Sequence, residues 1–429
     1  MNITQLRRLF LTGIAVVFLL ASGSLSAASF QDLITTTLQK NPTIRAAQQR
    51  LEGAQERDAQ SFAALMPQLS LNAYAAHSET DWATGDSSAT PAEISLEVSQ
   101  VLFNKQALTA YDQRTPYISA FEQDLSAARQ GVIFNLIDAA TKVLEAGEMA
   151  DLSANNETLT ERHLKATEAR YQVGEITRTN VSQAISRLSS ATADRIQAEN
   201  SLASSRARFF EITGMNPPDD LTVPDPVQDI TGLHVEALLD RLSVRPDLQA
   251  ASLRVRVAEM TAKIQYEEHY PVVSLAGEVS RGWNNTSGLA DPVDGMSVTI
   301  SASLPLYSGG MTESQTREAQ ANHRAQVSEL SRLQRQAQRE VKQAQLNFQS
   351  SEAAVTAYES VVDAGKAALE GVEQEFQVGT RTALEVLDAQ HELFSAKVQL
   401  TRNRYNRLLA RYELLRAMGL LDTTAIEAK

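Results

Sequence analysis

Four stretches of this chain alternate apolar and polar residues with a period of two. Leu69, Leu71, Ala73 and Ala75 interleave with Ser70, Asn72, Tyr74 and Ala76, and Ile94, Leu96 and Val98 with Glu93, Ser95, Glu97 and Ser99. Val273, Leu275 and Val279 interleave with Ser274, Ala276, Glu278 and Ser280. The cleanest set is Met296, Val298, Ile300, Ala302 and Leu304 against Ser297, Thr299, Ser301 and Ser303. The pattern predicts strands at about 67–82, 92–103, 271–284 and 295–307. Runs of about ten alternating residues suit a membrane strand with a lipid face and a lumen face, although soluble sheets alternate too. Pro67 and Pro271 stand at strand entries, where a missing N–H costs least. The Asp-, Ser-, Asn- and Gly-rich connections near 82–91 and 284–294 read as exposed loops, with Trp82 and Trp283 placed as interfacial anchors.

Between the strand pairs the period changes. Lys105–Arg170 holds one proline, Pro116, near its start, and Met311–Phe376 holds none. As helices these runs would each be roughly 100 Å long, beyond the diameter of a globular domain. Val173-Gly174-Glu175-Ile176 and Val378-Gly379-Thr380-Arg381 break them. Shorter partners then return over about 177–212 and 382–417, closed by Gly214 and Gly419 at C-cap positions. The prediction is two long antiparallel α-hairpins, at about 105–213 and 308–419. Short helices precede the strands. Ser29 with Asp32 suggests a capping box, and Asn41-Pro42 a cap followed by a first-turn proline. Arg245-Pro246 repeats that punctuation without a good capping residue.

The order of elements is written twice. Asn41-Pro42-Thr43-Ile44 with Ala46, Ala47, Arg50 and Ala54 recurs as Arg245-Pro246-Asp247-Leu248 with Ala250, Ala251, Arg254 and Ala258, 204 residues on. Tyr171-Gln172-Val173-Gly174 recurs as Phe376-Gln377-Val378-Gly379, 205 residues on. Units this long are not solenoid repeats. They divide the chain into a first repeat at 29–216, a linker at 217–232, a second repeat at 233–420 and a tail at 421–429. The fold class is mainly α with a small membrane β part.

Composition narrows the setting. Arg7 and Arg8, the apolar run Leu9–Ala21 and Ser26-Ala27-Ala28 read as a signal peptide over 1–28. Without its two arginines the chain has 37 basic against 52 acidic residues, a net charge of −15. That argues against nucleic acid as a partner. Cysteine is absent, which removes disulfides and thiolate chemistry, and no later apolar run is long enough for a transmembrane helix. The six histidines lack metal-ligand spacing, and no phosphate loop or nucleophile elbow occurs. Glu267-Glu268-His269 reads as a solvated helix end. The expectation is therefore no catalytic site, cofactor or metal.

Four strands cannot close a membrane barrel, because the smallest have eight and open edges are excluded from hydrocarbon. Two copies would give eight strands and a filled bore; three would give twelve and room for a channel. Glu93, Glu97 and Glu278 on the polar strand faces would make that bore acidic.

Ser303-Leu304-Pro305-Leu306-Tyr307-Ser308-Gly309-Gly310-Met311, with Val378-Gly379-Thr380-Arg381-Thr382 and Glu385-Val386-Leu387-Asp388-Ala389, resembles the TolC outer-membrane efflux family over essentially the whole mature chain. The resemblance implies a homotrimer in the outer membrane of a Gram-negative bacterium, with a 12-stranded β-barrel and a periplasmic 12-helix α-barrel. It implies an exit duct for efflux pumps and type I secretion, recruited by a periplasmic adaptor and an inner-membrane transporter, and no catalysis. The hairpin tips at Val173, Gly174, Val378 and Gly379 would meet the adaptor. Polar links would hold the inner end closed: Arg381 matches the arginine of those links and Thr179 a threonine partner. Asn180 replaces an Asp and Phe376 a Tyr, which removes an ion pair and a hydroxyl and implies a less tightly latched entrance. Glu385 and Asp388 match the family's acidic constriction. They share a helix face at i, i+3, so threefold symmetry would make two carboxylate rings favouring multivalent cations. Thr382-Ala383-Leu384-Glu385 is also a capping box, so Glu385 has an equally good structural reading. The alternative for the whole chain is a periplasmic coiled-coil adaptor or scaffold, which would need one hairpin flanked by compact β-domains.

Overall fold

The computed structural model describes residues 30–82, 85–226, 239–284 and 292–423. The signal-peptide reading, Ser29, most of the 284–294 connection and parts of the linker and tail lie outside them.

The first half comprises α1 (Phe30–Lys40), α2 (Pro42–Ala63), β1 (Gln68–Ala75), β2 (Ser78–Trp82), β3 (Gly85–Ala89), β4 (Ala92–Phe103), α3 (Lys105–Gln172) and α4 (Arg178–Thr213). The second comprises α5 (Pro246–Tyr266), β5 (Val272–Trp283), β6 (Val293–Ser303), α6 (Met311–Gln377) and α7 (Ala383–Ala417), with short 3-10 turns at Asp240–Val244 and Glu267–His269. The long helix α3 runs through Pro116 without ending.

Three local features differ from the sequence reading. The connection after β1 is a second antiparallel ladder, β2 on β3, rather than an open loop from 82 onward. β6 stops at Ser303, short of 307, because Pro305 has no N–H to continue a ladder. Glu267 is no solvated helix end: it is 3% exposed, and its Oε2 has no hydrogen-bond partner among the described residues.

The sheet is antiparallel in the order β1-β4-β5-β6, with β1 and β6 as edges. The helices form a matching layer. Near the sheet the neighbours run α2, α3, α5, α6; toward the hairpin tips they run α4, α3, α7, α6. One margin of the layer is therefore α2 and α4, and the other is α6. Because β1 follows α2 and β6 precedes α6, sheet and layer are open along the same two sides.

A belt of apolar side chains joins the halves where α2 gives way to α4 and α5 to α7. Ile34, Leu136, Ile137, Phe209, Val341 and Leu415 are buried there. Tyr412 is also fully buried and donates its hydroxyl to the Pro224 carbonyl at 2.6 Å. The duplication repeats one strut in this belt. Asn41 caps α2 by accepting from the Thr43 N–H at 2.9 Å, and its amide donates to the Ile212 carbonyl at 2.9 Å. At the equivalent position Arg245 provides no side-chain cap, yet donates to the Ala417 carbonyl at 3.0 Å. Each half thus ties the start of a short helix to the end of its returning helix.

The hairpins below the belt pack with a seven-residue repeat, the coiled-coil signature. In the first, Ser153, Thr160 and Thr167 of α3 and Ala184, Ala191 and Ala198 of α4 are buried. In the second, Val355 and Val362 of α6 meet Leu393, Ala396 and Leu400 of α7.

Candidate channel wall and entrance

No core covers the apolar face of the sheet. Its side chains stand exposed: Leu71 is 68% exposed, Met296 80% and Ile300 70%. Register puts these residues on one surface, with Leu71 opposite Leu96, Leu96 opposite Val279 and Val279 opposite Met296. A contiguous apolar surface of this kind marks contact with lipid or a partner. Arg281 and Asp294 also lie on it, paired bidentately at 2.5 and 2.8 Å, at the end nearest the 284–294 connection. Trp283 sits in the same row.

The opposite face carries the acids. Glu97 lies directly across from Glu278, flanked by Ser70 and Ser297, and Glu93 lies between Tyr74 and Gly282. Like charges directly opposite destabilise a sheet, so this row is kept at a cost to stability. All three acids project from the hydrophilic face, as the alternation implies.

At the far end, both hairpins turn on glycine. Gly174 has φ +82° and Gly379 φ +83°, a left-handed conformation that an L side chain resists. Beside them Val173 and Val378 are exposed, an apolar residue at each tip.

The four residues matched to the gate do not meet within one chain. Arg381 donates to Glu375 at 2.7 Å and to Glu385 at 2.9 Å, both on its own hairpin. Asn180 accepts from the Thr177 hydroxyl at 3.0 Å, at the start of its own helix. Thr179 is exposed and its side chain makes no hydrogen bond among the described residues. Phe376 does reach the other hairpin: the Arg170 guanidinium lies over its ring, 4.1 Å from the centroid, a favourable cation–π arrangement.

Of the constriction acids, Glu385 shows the capping geometry. Its N–H donates to Thr382 Oγ1 at 3.3 Å, and the same hydroxyl donates to its carboxylate at 3.0 Å. The hydrogen bond from Arg381, and then that from Thr382, holds the Glu385 carboxyl below its ordinary value. Asp388 is not bare either: Arg187 Nη2 of α4 reaches its Oδ1 at 2.5 Å. Arg187 had no signature in the sequence, because its partner is 201 residues away. Nearby, burial lowers the pKa of His163, with Glu373 opposing.

Among the described residues no three His, Asp or Glu side chains gather in a metal-binding group. No described helix is long and apolar enough to cross a membrane.

The sequence profile described as outer membrane efflux protein matches residues 33–215 and 238–420, one match on each repeat. The chain is 29% identical to outer membrane protein TolC of Vibrio cholerae over 416 residues, covering 94% of each. It is 24% identical to the alkaline protease secretion protein AprF of Pseudomonas aeruginosa, covering 98% of this chain and 91% of that one. Among solved structures it superposes on CusC with a TM-score of 0.81 at 19% identity, covering 90% of this chain and 91% of that one.

Proposed function

The chain belongs to the outer membrane efflux protein family, and on that premise we propose that three copies of it close a single duct across the outer membrane and the periplasm. It is an outer-membrane protein of a Gram-negative bacterium, in a family of efflux and secretion channels. In the proposed assembly β6 of one copy pairs with β1 of the next, giving twelve strands, while α6 packs beside the neighbour's α2 and α4.

The observation that carries this reading is the coincidence of open margins. The edges of the sheet and of the helix layer fall on the same two sides. Those helix margins also carry exposed apolar residues: Phe62, Ile185, Ile196 and Phe210 on one, Val327, Leu346 and Val361 on the other. Two different faces meeting head to tail generate a ring when the rotation closes, and closure alone removes β-edges from hydrocarbon. With the apolar strand face toward lipid, Glu93, Glu97 and Glu278 line the bore.

In this duct the tips at Val173, Gly174, Val378 and Gly379 meet a periplasmic adaptor, which joins an inner-membrane transporter of the RND, ABC or MFS type. Likeness to a protease secretion protein supports passage of proteins as well as small molecules. Arg381, Thr179, Asn180 and Phe376 sit where neighbouring chains would link the inner end. Glu385 and Asp388 would form its acidic rings. The chain acts as a passive conduit, without chemistry of its own.

The test is light scattering on protein extracted from outer membrane in detergent, followed by planar-bilayer recording. A trimer that conducts supports the reading. A detergent-independent soluble monomer without conductance refutes it and favours the adaptor alternative.

A further inference from the structure

α4 and α7 are the returning helices of different hairpins, and both pack on α3. Together with α3 they bound an open groove of about 440 Å³, lined by residues such as Met149, Ala198 and Val398. Among the described residues one polar contact joins α4 directly to α7, the Arg187–Asp388 ion pair. It lies in the first turns after the tips, where the returning helices begin. Both partners are partly solvent-accessible, at 40% and 47% of their side chains, so either can exchange its partner for an ion in the passage.

We infer that Arg187 is a specificity-determining residue of the duct's inner end, holding the Asp388 carboxylate in a clasp between the hairpins and withholding it from cations. The inference rests on the entrance reading given above and deepens it. A cation in the constriction competes with a guanidinium for the same oxygens, so capture of the cation and release of the clasp are one equilibrium. Coupling of this kind is reciprocal: an ion that binds Asp388 favours separated hairpins, and separated hairpins bind the ion more tightly. The Arg170–Phe376 stack lies nearer the turns and leaves no carboxylate behind when it parts. Of these two contacts near the tips, the Arg187 clasp is therefore the one that links mechanical opening to charge selection.

The mature trimer in planar bilayers, blocked from the tip side with hexaamminecobalt(III), tests this. R187A is expected to lower the half-blocking concentration by about fivefold or more and to raise the resting conductance. R187K, which keeps the charge, should stay near the parent. In R187A/D388N the tighter block should vanish while the conductance stays high. An unchanged half-blocking concentration in R187A overturns the inference. So does a tighter block that survives in the double variant, since that would trace to loss of positive charge in general. Hydrogen exchange over residues 178–190 and 383–392 provides a readout that needs no current. R187A should speed it, and hexaamminecobalt(III) should speed it in the parent; unchanged exchange in both overturns the clasp. A parent trimer that fails to conduct would sink the duct reading alone, and exchange would still decide the clasp.

Discussion

Gly214 and Gly419 occupy the same place in the two repeats, yet the same substitution should cost them differently. Both end a returning helix in the left-handed region, with φ +70° and +74°. Alanine in that conformation is disfavoured by about 1–2 kcal/mol. At Gly214 that is the whole cost, because a Cβ would meet nothing within 4 Å among the described residues. At Gly419 the Cβ would stand 2.8 Å from the Arg245 Cα and 2.9 Å from its Cγ. The backbone cannot simply back away, since Arg245 also donates to the Ala417 carbonyl and Gln130 to the Gly419 carbonyl. Overpacking of this kind costs about 1–3 kcal/mol more, so G419A should lose about 2–5 kcal/mol. Guanidinium titrations of the detergent-solubilised protein, followed by circular dichroism, should separate the variants by midpoint at a shared slope. R245A should not rescue G419A, because the closest clash is with a backbone atom. Equal losses in G214A and G419A, or rescue by R245A, would refute the reasoning.

Three further outcomes are expected. I300R should cost about 2–4 kcal/mol near the bilayer midplane and prevent assembly, whereas T299R on the opposite face should assemble; electrophoretic trimer mobility reads both. L393A removes a buried side chain among Val355, Val362 and Leu400 and should destabilise the second hairpin by about 2–5 kcal/mol, seen as faster hydrogen exchange over 350–400 but not over 150–200. The lowered Glu385 carboxyl stabilises the second tip at pH values above its ordinary 4.5, and that contribution is lost as pH falls through the lowered value. Proteolytic nicking near Val378 should therefore rise in that acidic window in the parent, and E385Q should flatten the dependence.

Features set by neighbours in sequence were legible before the structure. Alternation marked the strands, long runs nearly free of proline marked the long helices, and Asn41 before Pro42 marked a cap that the Thr43 N–H satisfies. The β2–β3 ladder was missed because Ser78–Trp82 and Gly85–Ala89 carry no apolar alternation to announce it. Glu267 read as solvated because adjacent residues are charged, but the turn that carries it points the side chain inward. Phe376 was read for the hydroxyl it lacks, while its ring serves Arg170 from the other hairpin. Arg187 was invisible for the same reason: contacts between hairpins depend on how two coils lie together, which local pattern does not encode.

Counted by repeats rather than by chains, a ring of three such chains has six staves. The struts at Asn41 and Arg245 seat each stave alike at mid-height, but below that level the staves differ. One is filled by alanine and threonine, the next by valine and leucine, and the smaller side chains withdraw less oily surface from water. A cylinder so built alternates slack and stiff segments around its circumference, and pressure at its lower rim would be taken up unevenly, three segments yielding before the other three.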